Sequence, residues 1–554
     1  MKLLGSEAVM KILLENHVDT VFGYPGGAAL FLYDELYKYE DKIKHVLSAH
    51  EQGASHAADG YARSTGKTGV VIATSGPGAT NLVTGIATAY MDSVPMVIIT
   101  ANVANNFIGR DAFQETCITG ITFPITKHSY FVNKPEELAD AMRNAFRIAN
   151  EGRKGPVLVD ITKDVTAAEV DYVEEEPYDT AKYVDEAIDK KSKKFAKLIN
   201  EAKKPVFYLG GGIVASGASD EVRAFMDRAQ IPAVNSMMAS GVVEHDGKYF
   251  YGMLGMHGSY AANKCIAEAD LVVAIGTRFS DRVALNPKRF AENAKVIQID
   301  IDKSEVNKNV MVVESIIGDC KEVLQGILPM VKEAEHGDWI KTIEKWSKEH
   351  PLKMKSEGDL CPQDVIEEAC RMAGEEAFYV TDVGQHQMWA AQYVLHKKPR
   401  HFLSSGGLGT MGFGYGAAIG AQIGNPGNKV VHFTGDGSLH MNLNEACTAV
   451  SNELPVITVI MNNRVLGMVY QWQTDFYGGR HSHTVPERKT DFCKVIEAFG
   501  GTGYSAENIE EFKDAFQKAL KAKGPVWIDC DIVSRQKALP MIPNGHTVED
   551  SIFE

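Results

Sequence analysis

The sequence predicts an α/β protein made of three doubly wound domains, each built on a parallel sheet. Short apolar runs rich in β-branched residues alternate with helical stretches along the whole chain, as at residues 70–74, 156–160 and 271–276. Continuous apolar strands of this kind belong to parallel sheets covered by helices on both faces. With 554 residues the chain is also too long for one hydrophobic core, and ordinary domain sizes favour about three domains.

Two charged stretches without strand patterns divide the chain. Residues 173–192 contain three consecutive glutamates and a proline near their start, and residues 333–359 are rich in lysine and glutamate. We interpret both as linkers. The expected domains are then residues 1–172, 193–332 and 360–535, followed by a C-terminal tail at residues 536–554.

The first and third domains share one sequence pattern. In residues 87–102 and again in residues 446–462, a helix ends, a proline opens an apolar strand, and an asparagine follows. A single pair of this kind can arise by chance, so the pattern alone gives internal duplication only modest support.

Composition and charge exclude several classes of function. The chain is 45% hydrophobic and 23% charged, which is ordinary for a globular protein, and its formal net charge is -15. Nucleic acids and anionic membrane surfaces need a broad basic patch, so we expect neither as a partner. We find no apolar stretch of membrane-spanning length and no signal peptide, and we expect a cytoplasmic protein. The eight cysteines form no CxxC pair, so the sequence indicates neither a disulfide framework nor a zinc site.

The third domain carries a candidate site for a diphosphate and a metal ion. An apolar strand at residues 429–434 leads into Gly435, Asp436, Gly437 and Ser438, and Asn463 follows the next strand. Open α/β sheets bind ligands at the carboxyl ends of their strands. Glycines let backbone amides approach a diphosphate, and the oxygens of Asp and Asn suit Mg²⁺. Either motif alone could be a turn or a loop cap, but both together at this spacing are typical of thiamine-diphosphate enzymes.

A second glycine pattern lies just upstream. Residues 407–412 match G-x-G-x-x-G, and Asp436 follows at a distance that imitates a dinucleotide-binding fingerprint. We discount this reading because residues 401–405 make a poor buried strand and because Asp436 is better used as a metal ligand.

Glu51 opens a predicted helix at residues 50–63 whose apolar face is mostly alanine. An acid in the first turn is favoured by the helix dipole and is usually solvated, so spacing alone assigns Glu51 no function. Thiamine chemistry assigns it one, because the cofactor must lose a proton from C2 of its thiazolium ring. A glutamate bonded to N1′ of the aminopyrimidine promotes the tautomer whose nitrogen accepts that proton.

The motifs around Glu51 resemble a known family. His-Glu-Gln-Gly-Ala at residues 50–54, Gly-Tyr-Pro-Gly-Gly at residues 23–27 and Ser-Gly-Pro-Gly at residues 75–78 are similar to the pyrimidine-binding domain of acetohydroxyacid synthases. Further similar motifs cover nearly the whole chain, at residues 109–115, 252–258, 405–412, 467–472 and 540–543.

The resemblance implies an architecture and an activity. The family has pyrimidine-binding, central and diphosphate-binding domains and uses thiamine diphosphate, Mg²⁺ and FAD. Each cofactor lies between two subunits, which implies a homodimer or homotetramer, and a separate regulatory small subunit is a further candidate partner. The implied reaction decarboxylates pyruvate and transfers the hydroxyethyl unit to a second 2-ketoacid, pyruvate or 2-ketobutyrate, as in branched-chain amino-acid biosynthesis.

The resemblance also implies roles for individual residues. Glu51 is the acid that promotes loss of the C2 proton, Asp436 and Asn463 bind Mg²⁺ together with the carbonyl of Val465, and Met411 is the apolar wedge that bends the cofactor. The other expected cofactor contacts are Tyr24, Gly27, Pro77, Val383, Gln385, His386, Gly409, Gly435, Gly437, Ser438, Gly467 and Met468. The expected substrate pocket contains Phe113, Gln114, Met468, Val469 and Trp472. Without the resemblance, Met411 and Trp472 could be ordinary core residues.

The middle domain has features of a nucleotide site. A strand runs into glycines at residues 209–212, and acids follow later strands, which suits a nucleotide with ribose hydroxyls, although a purely structural domain would look similar. The resemblance adds FAD without net redox chemistry. The matching contacts are Arg153, Gly211, Met256, His257, Gly258, Gly276, Arg278, Asp281, Asp300 and Asp319. The chain departs from the family pattern at Ser280, where Asp is usual, and at residues 235–239, which carry fewer hydroxyl groups than usual.

Arg282 is, by resemblance, the cation for the carboxylate of the acceptor ketoacid, because a guanidinium can bind a carboxylate with two hydrogen bonds. An arginine at the surface or against the flavin would look the same in the sequence. The sequence also allows two other functions, each of which one feature disfavours. A pyruvate oxidase or ketoacid decarboxylase with the same cofactor is disfavoured by residues 467–472, and a non-catalytic nucleotide-binding regulatory protein is disfavoured by Glu51 together with both metal ligands.

Overall fold

The structure is a computed structural model that describes residues 1–178 and 188–554. These residues form three six-stranded sheets, and every pairing within the three sheets is parallel. The predicted class, α/β with three parallel-sheet domains, is confirmed. The predicted linker at residues 173–192 lies partly outside the described residues. No helix in the described ranges has the length and apolar character needed to cross a membrane.

The first sheet lies within residues 20–162. The strands of this part of the chain are β1 (Lys2–Leu4), β2 (Thr20–Tyr24), β3 (Lys44–Leu47), β4 (Gly69–Ala73), β5 (Met96–Asn102), β6 (His128–Val132), β7 (Pro156–Thr162) and β8 (Glu169–Asp171). The sheet has the order β3-β2-β4-β5-β7-β6, and β1 pairs with β8 in a separate antiparallel ribbon. The helices are α1 (Gly5–Glu15), α2 (Leu30–Lys38), α3 (Glu51–Thr65), α4 (Pro77–Thr80), α5 (Val83–Asp92), α6 (Ile118–Thr122), α7 (Leu138–Asn150) and α8 (Lys163–Ala167).

The second sheet lies within residues 205–317. Its strands are β9 (Pro205–Leu209), β10 (Ala233–Asn235), β11 (Phe250–Met253), β12 (Leu271–Ile275), β13 (Lys295–Asp300) and β14 (Glu314–Ile317). The order β11-β10-β9-β12-β13-β14 is that of dinucleotide-binding α/β sheets. The helices are α9 (Ile188–Glu201), α10 (Gly211–Ser216), α11 (Ser219–Ala229), α12 (Tyr260–Glu268), α13 (Cys320–Ile327) and α14 (Gly337–Glu349).

The third sheet lies within residues 378–531. Its strands are β15 (Phe378–Thr381), β16 (Phe402–Leu403), β17 (Val430–Gly435), β18 (Ile457–Asn462), β19 (Thr502–Ala506) and β20 (Val526–Asp531), in the order β16-β15-β17-β18-β20-β19. The helices are α15 (Pro362–Ala373), α16 (Gln385–Tyr393), α17 (Phe413–Gly424), α18 (Asp436–Asn442), α19 (Ala446–Ser451), α20 (Gly467–Phe476), α21 (Phe492–Phe499) and α22 (Ile509–Ala519). Short 3₁₀ turns lie at Asn105–Phe107, Phe123–Ile125, Pro135–Glu137, Met237–Ala239, Lys303–Glu305, Leu328–Met330, Leu443–Glu445 and Val548–Asp550.

The first and third sheets have the same topology. Counted in chain order, both place their six strands as second, first, third, fourth, sixth, fifth. This is the relationship that a duplicated domain would have, and it extends the short shared pattern seen in the sequence to two whole sheets.

One helix begins inside a stretch that the sequence predicts as a linker, and another lies wholly inside the second such stretch. α9 begins at Ile188, and α14 occupies Gly337–Glu349. Trp339 and Ile343, four residues apart on α14, are buried in the core of the middle domain. The many exposed lysines and glutamates of α14 hide this narrow apolar face in the composition.

The first and third domains pack against each other through α3 and α17. A Cβ at Gly420 would lie 1.8 Å from the carbonyl oxygen of Ala57, and a Cβ at Gly60 would lie 2.1 Å from that of Ala417. Only glycine permits this approach of backbone to backbone. The contact joins one face of each sheet into a shared hydrophobic core that includes Phe22 and Trp527.

Candidate active site

A cleft lies at the carboxyl end of the third sheet, where β17 leads into α18 and β18 leads towards α20. Its walls are formed by Val383, Gly384, Gln385, His386, Trp389, Met411, Gly435, Asp436, Gly437, Ser438, Met461, Asn463, Val465, Leu466, Gly467, Met468 and Val469. Thirteen of these residues are candidates from the sequence, and the other four, which no sequence motif indicates, are Gly384, Trp389, Met461 and Leu466. The structure therefore brings the diphosphate, metal and wedge candidates of the third domain together.

Asp436 and Asn463 lie at the same edge because they follow neighbouring strands, with Gly435 of β17 in register with Met461 of β18. Asp436 is buried, and this burial raises the pKa of its carboxyl group to about 6. A bound cation would reverse that effect by favouring the carboxylate. Asn463 donates from Nδ2 to Oε1 of Gln385 at 2.9 Å, and its Oδ1 accepts from the backbone amide of Val465 at 3.3 Å. A carboxylate and an amide oxygen beside open space fit Mg²⁺.

The cleft has the features of a diphosphate cradle. A Cβ at Gly467 would lie 2.1 Å from Oε1 of Gln385, and one at Gly435 would lie 2.9 Å from Nδ1 of His386, so a side chain at either position would displace a residue of the cleft wall. α16 and α20 begin in the wall of the cleft, and the first amides of a helix attract anions. Burial lowers the pKa of His386 to about 4, and its buried Nε2 has no hydrogen-bond partner, which leaves it for a ligand.

A second layer of amides supports this cradle. Gln385 donates from Nε2 to Oε1 of Gln471 and to the carbonyl of Gln536, both at 2.9 Å. Gln471 also accepts from the amide of Ala538 in the C-terminal tail. Gln471 and Gln536 are not among the sequence candidates, because an isolated buried glutamine has no local signature.

Glu51 lies on the first domain, at the start of α3, and is 8% exposed. Its Oε2 accepts a 2.9 Å hydrogen bond from Nδ2 of Asn81, and its Oε1 lies next to Gly78, where a Cβ would come within 3.1 Å. Tyr24 ends β2, Gly27 follows it, and Pro77 begins α4, so these candidates share the carboxyl edge of the first sheet with Glu51.

Phe113 and Gln114 belong to the same region of the first domain. The side chain of Phe113 is 87% exposed, and Gln114 has a φ of 61°. The backbone of Gln114 packs against Gly76, where a Cβ would lie 2.8 Å from the Gln114 carbonyl oxygen. The cleft of the third domain, by contrast, is lined by residues between 383 and 469. One chain thus presents two separate halves of the predicted site.

Trp472 lies on α20 one turn after Met468 and is half-buried. Its ring packs against Phe476, with 5.1 Å between the centroids. Met468 and Val469 line the cleft, whereas Trp472 lies beyond that set. Trp472 therefore lies on the helix that forms the wall of the cleft, but outside the set of residues that line it.

The middle domain brings several flavin candidates to the carboxyl ends of β9, β12 and β13. A Cβ at Gly212 would lie 2.7 Å from Cα of Gly276, so the two glycine turns touch through their backbones. Asp300 ends β13, and burial raises the pKa of its carboxyl group to about 6. His257 is buried, and burial lowers its pKa to about 4. Its two ring nitrogens make no well-formed hydrogen bond, although the backbone of Ala538 and Pro540 lies close to the ring. Buried ring nitrogens that are only weakly bonded within the protein, together with a glycine turn at a strand end, fit a dinucleotide.

Two of the three arginine candidates contact residues of another domain. Arg278 donates to the carbonyl of Met91 at 2.6 Å. Arg153 is 2.8 Å from Glu305 and 3.4 Å from Asp302, and it also donates to Ser93. Arg278 and Arg153 therefore link the middle domain to the first.

Arg282 is exposed and lies beside Asp281 and Met256. Its guanidinium is 3.8 Å from Asp281 and 4.0 Å from the sulfur of Met256. Gly211 begins α10, Gly258 follows His257 in a turn, and Asp319 caps α13 by accepting from the amide of Lys321. Gly409 lies in the loop before α17, where a Cβ would be 3.9 Å from Val383.

Comparisons with known proteins cover the three domains. Residues 4–121 match the N-terminal TPP binding domain of thiamine pyrophosphate enzymes, residues 192–327 the central domain of these enzymes, and residues 382–530 their C-terminal TPP binding domain. The chain is 43% identical to the acetolactate synthase large subunit of Pyropia yezoensis, over 98% of this chain and 94% of that protein.

Two bacterial relatives match over similar lengths. The acetolactate synthase large subunit of Haemophilus influenzae is 42% identical, over 100% of this chain and 98% of its own length. That of Corynebacterium glutamicum is 44% identical, over 99% of this chain and 90% of its own length.

Proposed function

The chain belongs to the family of acetolactate synthase large subunits, and from this premise we propose how its residues divide the work of the enzyme. It is a thiamine-diphosphate-dependent transferase that decarboxylates pyruvate and joins the hydroxyethyl unit to a second 2-ketoacid. The observation that carries the assignment of the site is the cleft in which Asp436 and Asn463 meet the glycine cradle.

In this cleft, Asp436, Asn463 and the carbonyl of Val465 would hold Mg²⁺, and Gly435, Gly437 and Gly467 would admit the diphosphate. When bound, thiamine diphosphate supplies the ring that stabilises negative charge after a 2-ketoacid loses CO₂. The protein contributes a buried binding site, in which Met411 and Val383 exclude water from the reacting atoms and Gln385 keeps Asn463 in one orientation.

Glu51 would hold a proton for the aminopyrimidine ring. Asn81 occupies Oε2, which leaves Oε1 for a ligand. Because the acid is buried, a ligand bonded to it would be shielded from competing water, and this strengthens the hydrogen bond.

Two copies of the chain are needed to join these halves. Large apolar side chains are exposed on the first domain at Tyr24, Leu30, Phe31, Leu47, Tyr90, Met91, Phe107, Phe113, Ile121 and Phe123, and on the third at Leu408, Met441, Val469, Phe476 and Tyr477. Exposed apolar surface of this extent marks an interaction site in a globular protein. A symmetric homodimer, alone or within a homotetramer, would place Glu51 of one copy against the cleft of the other.

Mixing two inactive variants tests this arrangement. Glu51→Gln and Asp436→Ala proteins are each assayed for acetolactate alone and after denaturation and refolding together. If Glu51 serves the partner's cleft, mixed dimers contain one intact site, and about a quarter of wild-type activity returns on statistical mixing. If both residues serve the same chain's site, every site keeps one defect, and the absence of recovery would refute the shared site. Refolded wild-type protein is the control for yield.

FAD is the proposed ligand of the middle domain, held by the turns at Gly211 and Gly276, by Asp300 and by His257. The strand order of this domain and the buried ring nitrogens of His257, which make no well-formed hydrogen bond, support it. Its role would be structural, since formation of acetolactate involves no net redox change.

The cellular setting follows from the same premise. We place the enzyme in the cytoplasm and in branched-chain amino-acid biosynthesis, towards valine and isoleucine, with pyruvate and 2-ketobutyrate as acceptors. The relatives are named large subunits, which supports a separate regulatory small subunit as a partner.

A further inference from the structure

Asp92, the last residue of α5, is bonded to the loop that carries Met411. Its side chain is 0% exposed, and its carboxylate accepts from the backbone amides of Gly406 at 3.0 Å and Gly407 at 2.7 Å. A Cβ at Gly407 would lie 2.7 Å from the same carboxylate. Residues 404–412, which we call the wedge loop, run from β16 to α17. A first-domain acid thus holds the beginning of a third-domain loop.

Arg63 of α3 connects Asp92 to the same loop. Its Nη2 donates to Asp92 at 3.0 Å, its Nη1 donates to the carbonyl of Ser404 at 2.9 Å, and it also pairs with the buried Asp59. The cluster contains two buried carboxylates and one guanidinium, so the loop amides help to balance the excess negative charge. If the wedge loop moved away, the buried carboxylates of this cluster would lose the loop amides that help to balance their negative charge.

Thr88 holds the other end of the wedge loop. It lies four residues before Asp92 on α5, and thus on the same face of the helix. Its Oγ1 is 2.7 Å from Oγ1 of Thr410, and both side chains are buried. The amide of Thr410 also donates to Oγ of Ser405 at 3.0 Å. Residues on one face of α5 thus form hydrogen bonds to two parts of the loop, at Gly406 and Gly407 and at Thr410. Met411 follows Thr410 directly and lines the cleft.

We propose that Asp92 and Thr88 are positioning residues that fix the wedge loop so that Met411 faces the cleft of its own chain. The first domain would then serve two sites, giving Glu51 to the partner's cleft and the α5 anchors to its own. The role of Met411 towards the cofactor rests on the proposed function. The hydrogen bonds of Asp92 and Thr88 to the wedge loop do not depend on that function.

Hydrogen exchange of the cofactor-free protein tests whether the hydrogen bonds from α5 hold the wedge loop in place. Asp92→Asn puts an amide N–H₂ group where two loop amides and Arg63 need an acceptor, so the peptide covering residues 404–412 should lose protection while the central strands keep theirs. Asp270→Asn is the matched control, because Asp270 also accepts from two consecutive amides, those of Lys203 and Lys204, in the middle domain. Unchanged exchange of the wedge loop in Asp92→Asn would overturn the proposal.

A second pair of variants keeps the test decisive if Asp92→Asn folds poorly. Thr88→Val removes the hydroxyl and keeps the shape, whereas Thr88→Ser keeps the hydroxyl. We expect the valine variant to lose loop protection and to bind thiamine diphosphate about tenfold more weakly, as for loss of one buried hydrogen bond, with the serine variant near wild type. Binding is followed by tryptophan fluorescence, to which Trp389 in the wall of the cleft contributes.

The outcomes separate this inference from the proposed function. If both Asp92→Asn and Thr88→Val loosen the loop but bind thiamine diphosphate and form acetolactate as the wild type does, the positioning role is refuted and the proposed function stands. If the wild type itself fails to bind thiamine diphosphate, the proposed function is refuted, whatever the loop does.

Discussion

Asn81 holds Glu51 by a 2.9 Å hydrogen bond from its side-chain amide to Oε2. Both residues lie on the first domain, on either side of β4, and the bond turns the carboxyl group so that Oε1 lies beside Gly78. The acid is therefore oriented before any ligand arrives, which lowers the entropic cost of using it.

Glu51→Gln should slow acetolactate formation by about a hundredfold or more, because glutamine keeps the shape and the bond to Asn81 but cannot hold and release a proton. Affinity for thiamine diphosphate should stay near that of the wild type. The measurements are acetolactate formation, deuterium exchange at C2 of the bound cofactor, and calorimetric titration.

Glu35→Gln is the control, since Glu35 is another buried carboxylate of the first domain, paired with Lys38. Deuterium exchange at the wild-type rate in Glu51→Gln would remove Glu51 from the catalytic assignment.

Asp436→Ala should weaken Mg²⁺ and thiamine diphosphate binding together, each by about 10- to 100-fold, since Asp436 would hold the metal and the metal would help to hold the diphosphate. Titrations of each ligand at saturating levels of the other measure this. Asp531→Asn is the control, because Asp531 lies at the carboxyl end of the next strand but pairs with Arg464. Full activity of Asp436→Ala at ordinary cofactor levels would show that Asp436 is not a ligand.

The third-domain half of the site could be predicted because its residues obey local rules. Asp436 and Asn463 each follow an apolar strand, and in a parallel sheet such positions converge at one edge. The same rule places Glu51 and Pro77 at the edge of the first sheet. A sequence read locally therefore yields each half of the site, together with the glycines that a close approach requires.

Other contacts could not be predicted because they join residues far apart in the chain. Asp92 and Gly406 are separated by 314 positions, and nothing near Asp92 distinguishes it from a solvated acid at a helix end. Arg278 reads as a flavin contact, yet it also donates to Met91 of the first domain. Domain packing, which decides such pairs, leaves no periodic pattern in the sequence.

The purified protein should be yellow, and His257→Phe should reduce its flavin content. Phenylalanine fills the space of the imidazole but offers no hydrogen bond to a ligand, whereas the two ring nitrogens of His257 make no well-formed hydrogen bond within the protein and are free to do so. The measurement is the ratio of flavin absorbance to protein. His396→Phe is the control, because His396 is a third-domain histidine with a buried, unpartnered Nε2. A colourless preparation that is fully active and gains nothing from added FAD would exclude a flavin.

Asp160→Asn should abolish part of the pH dependence of stability. Burial raises the pKa of Asp160 from 3.8 to about 6, although Thr100 and Asn102 donate to its carboxyl group. Because the folded state binds this proton more tightly than the unfolded state, the protonated acid contributes its full stabilisation below pH 3.8. This contribution is lost as the pH rises through about 6. The shift corresponds to roughly 3 kcal/mol.

The measurement for Asp160 is the unfolding midpoint of wild type and variant between pH 4 and pH 7. Asparagine resembles the protonated acid, so the wild type should lose stability relative to Asp160→Asn across this interval. Parallel curves would show that Asp160 ionises without cost in the fold.

Trp472→Leu should change the choice of acceptor more than the total rate. Met468 lines the cleft, and Trp472 lies one turn later on the same face of α20. An indole there would pack against the extra methyl group of 2-ketobutyrate, and one methylene in an apolar pocket is worth about 1–3 kcal/mol, or roughly 10- to 200-fold in discrimination. The measurement is a competition between pyruvate and 2-ketobutyrate at fixed concentrations, reading the ratio of acetohydroxybutyrate to acetolactate. Tyr470→Leu is the control, because Tyr470 is on the same helix but stacks on His481. An unchanged ratio in Trp472→Leu would confine Trp472 to packing against Phe476 and remove the main support for an isoleucine-directed enzyme.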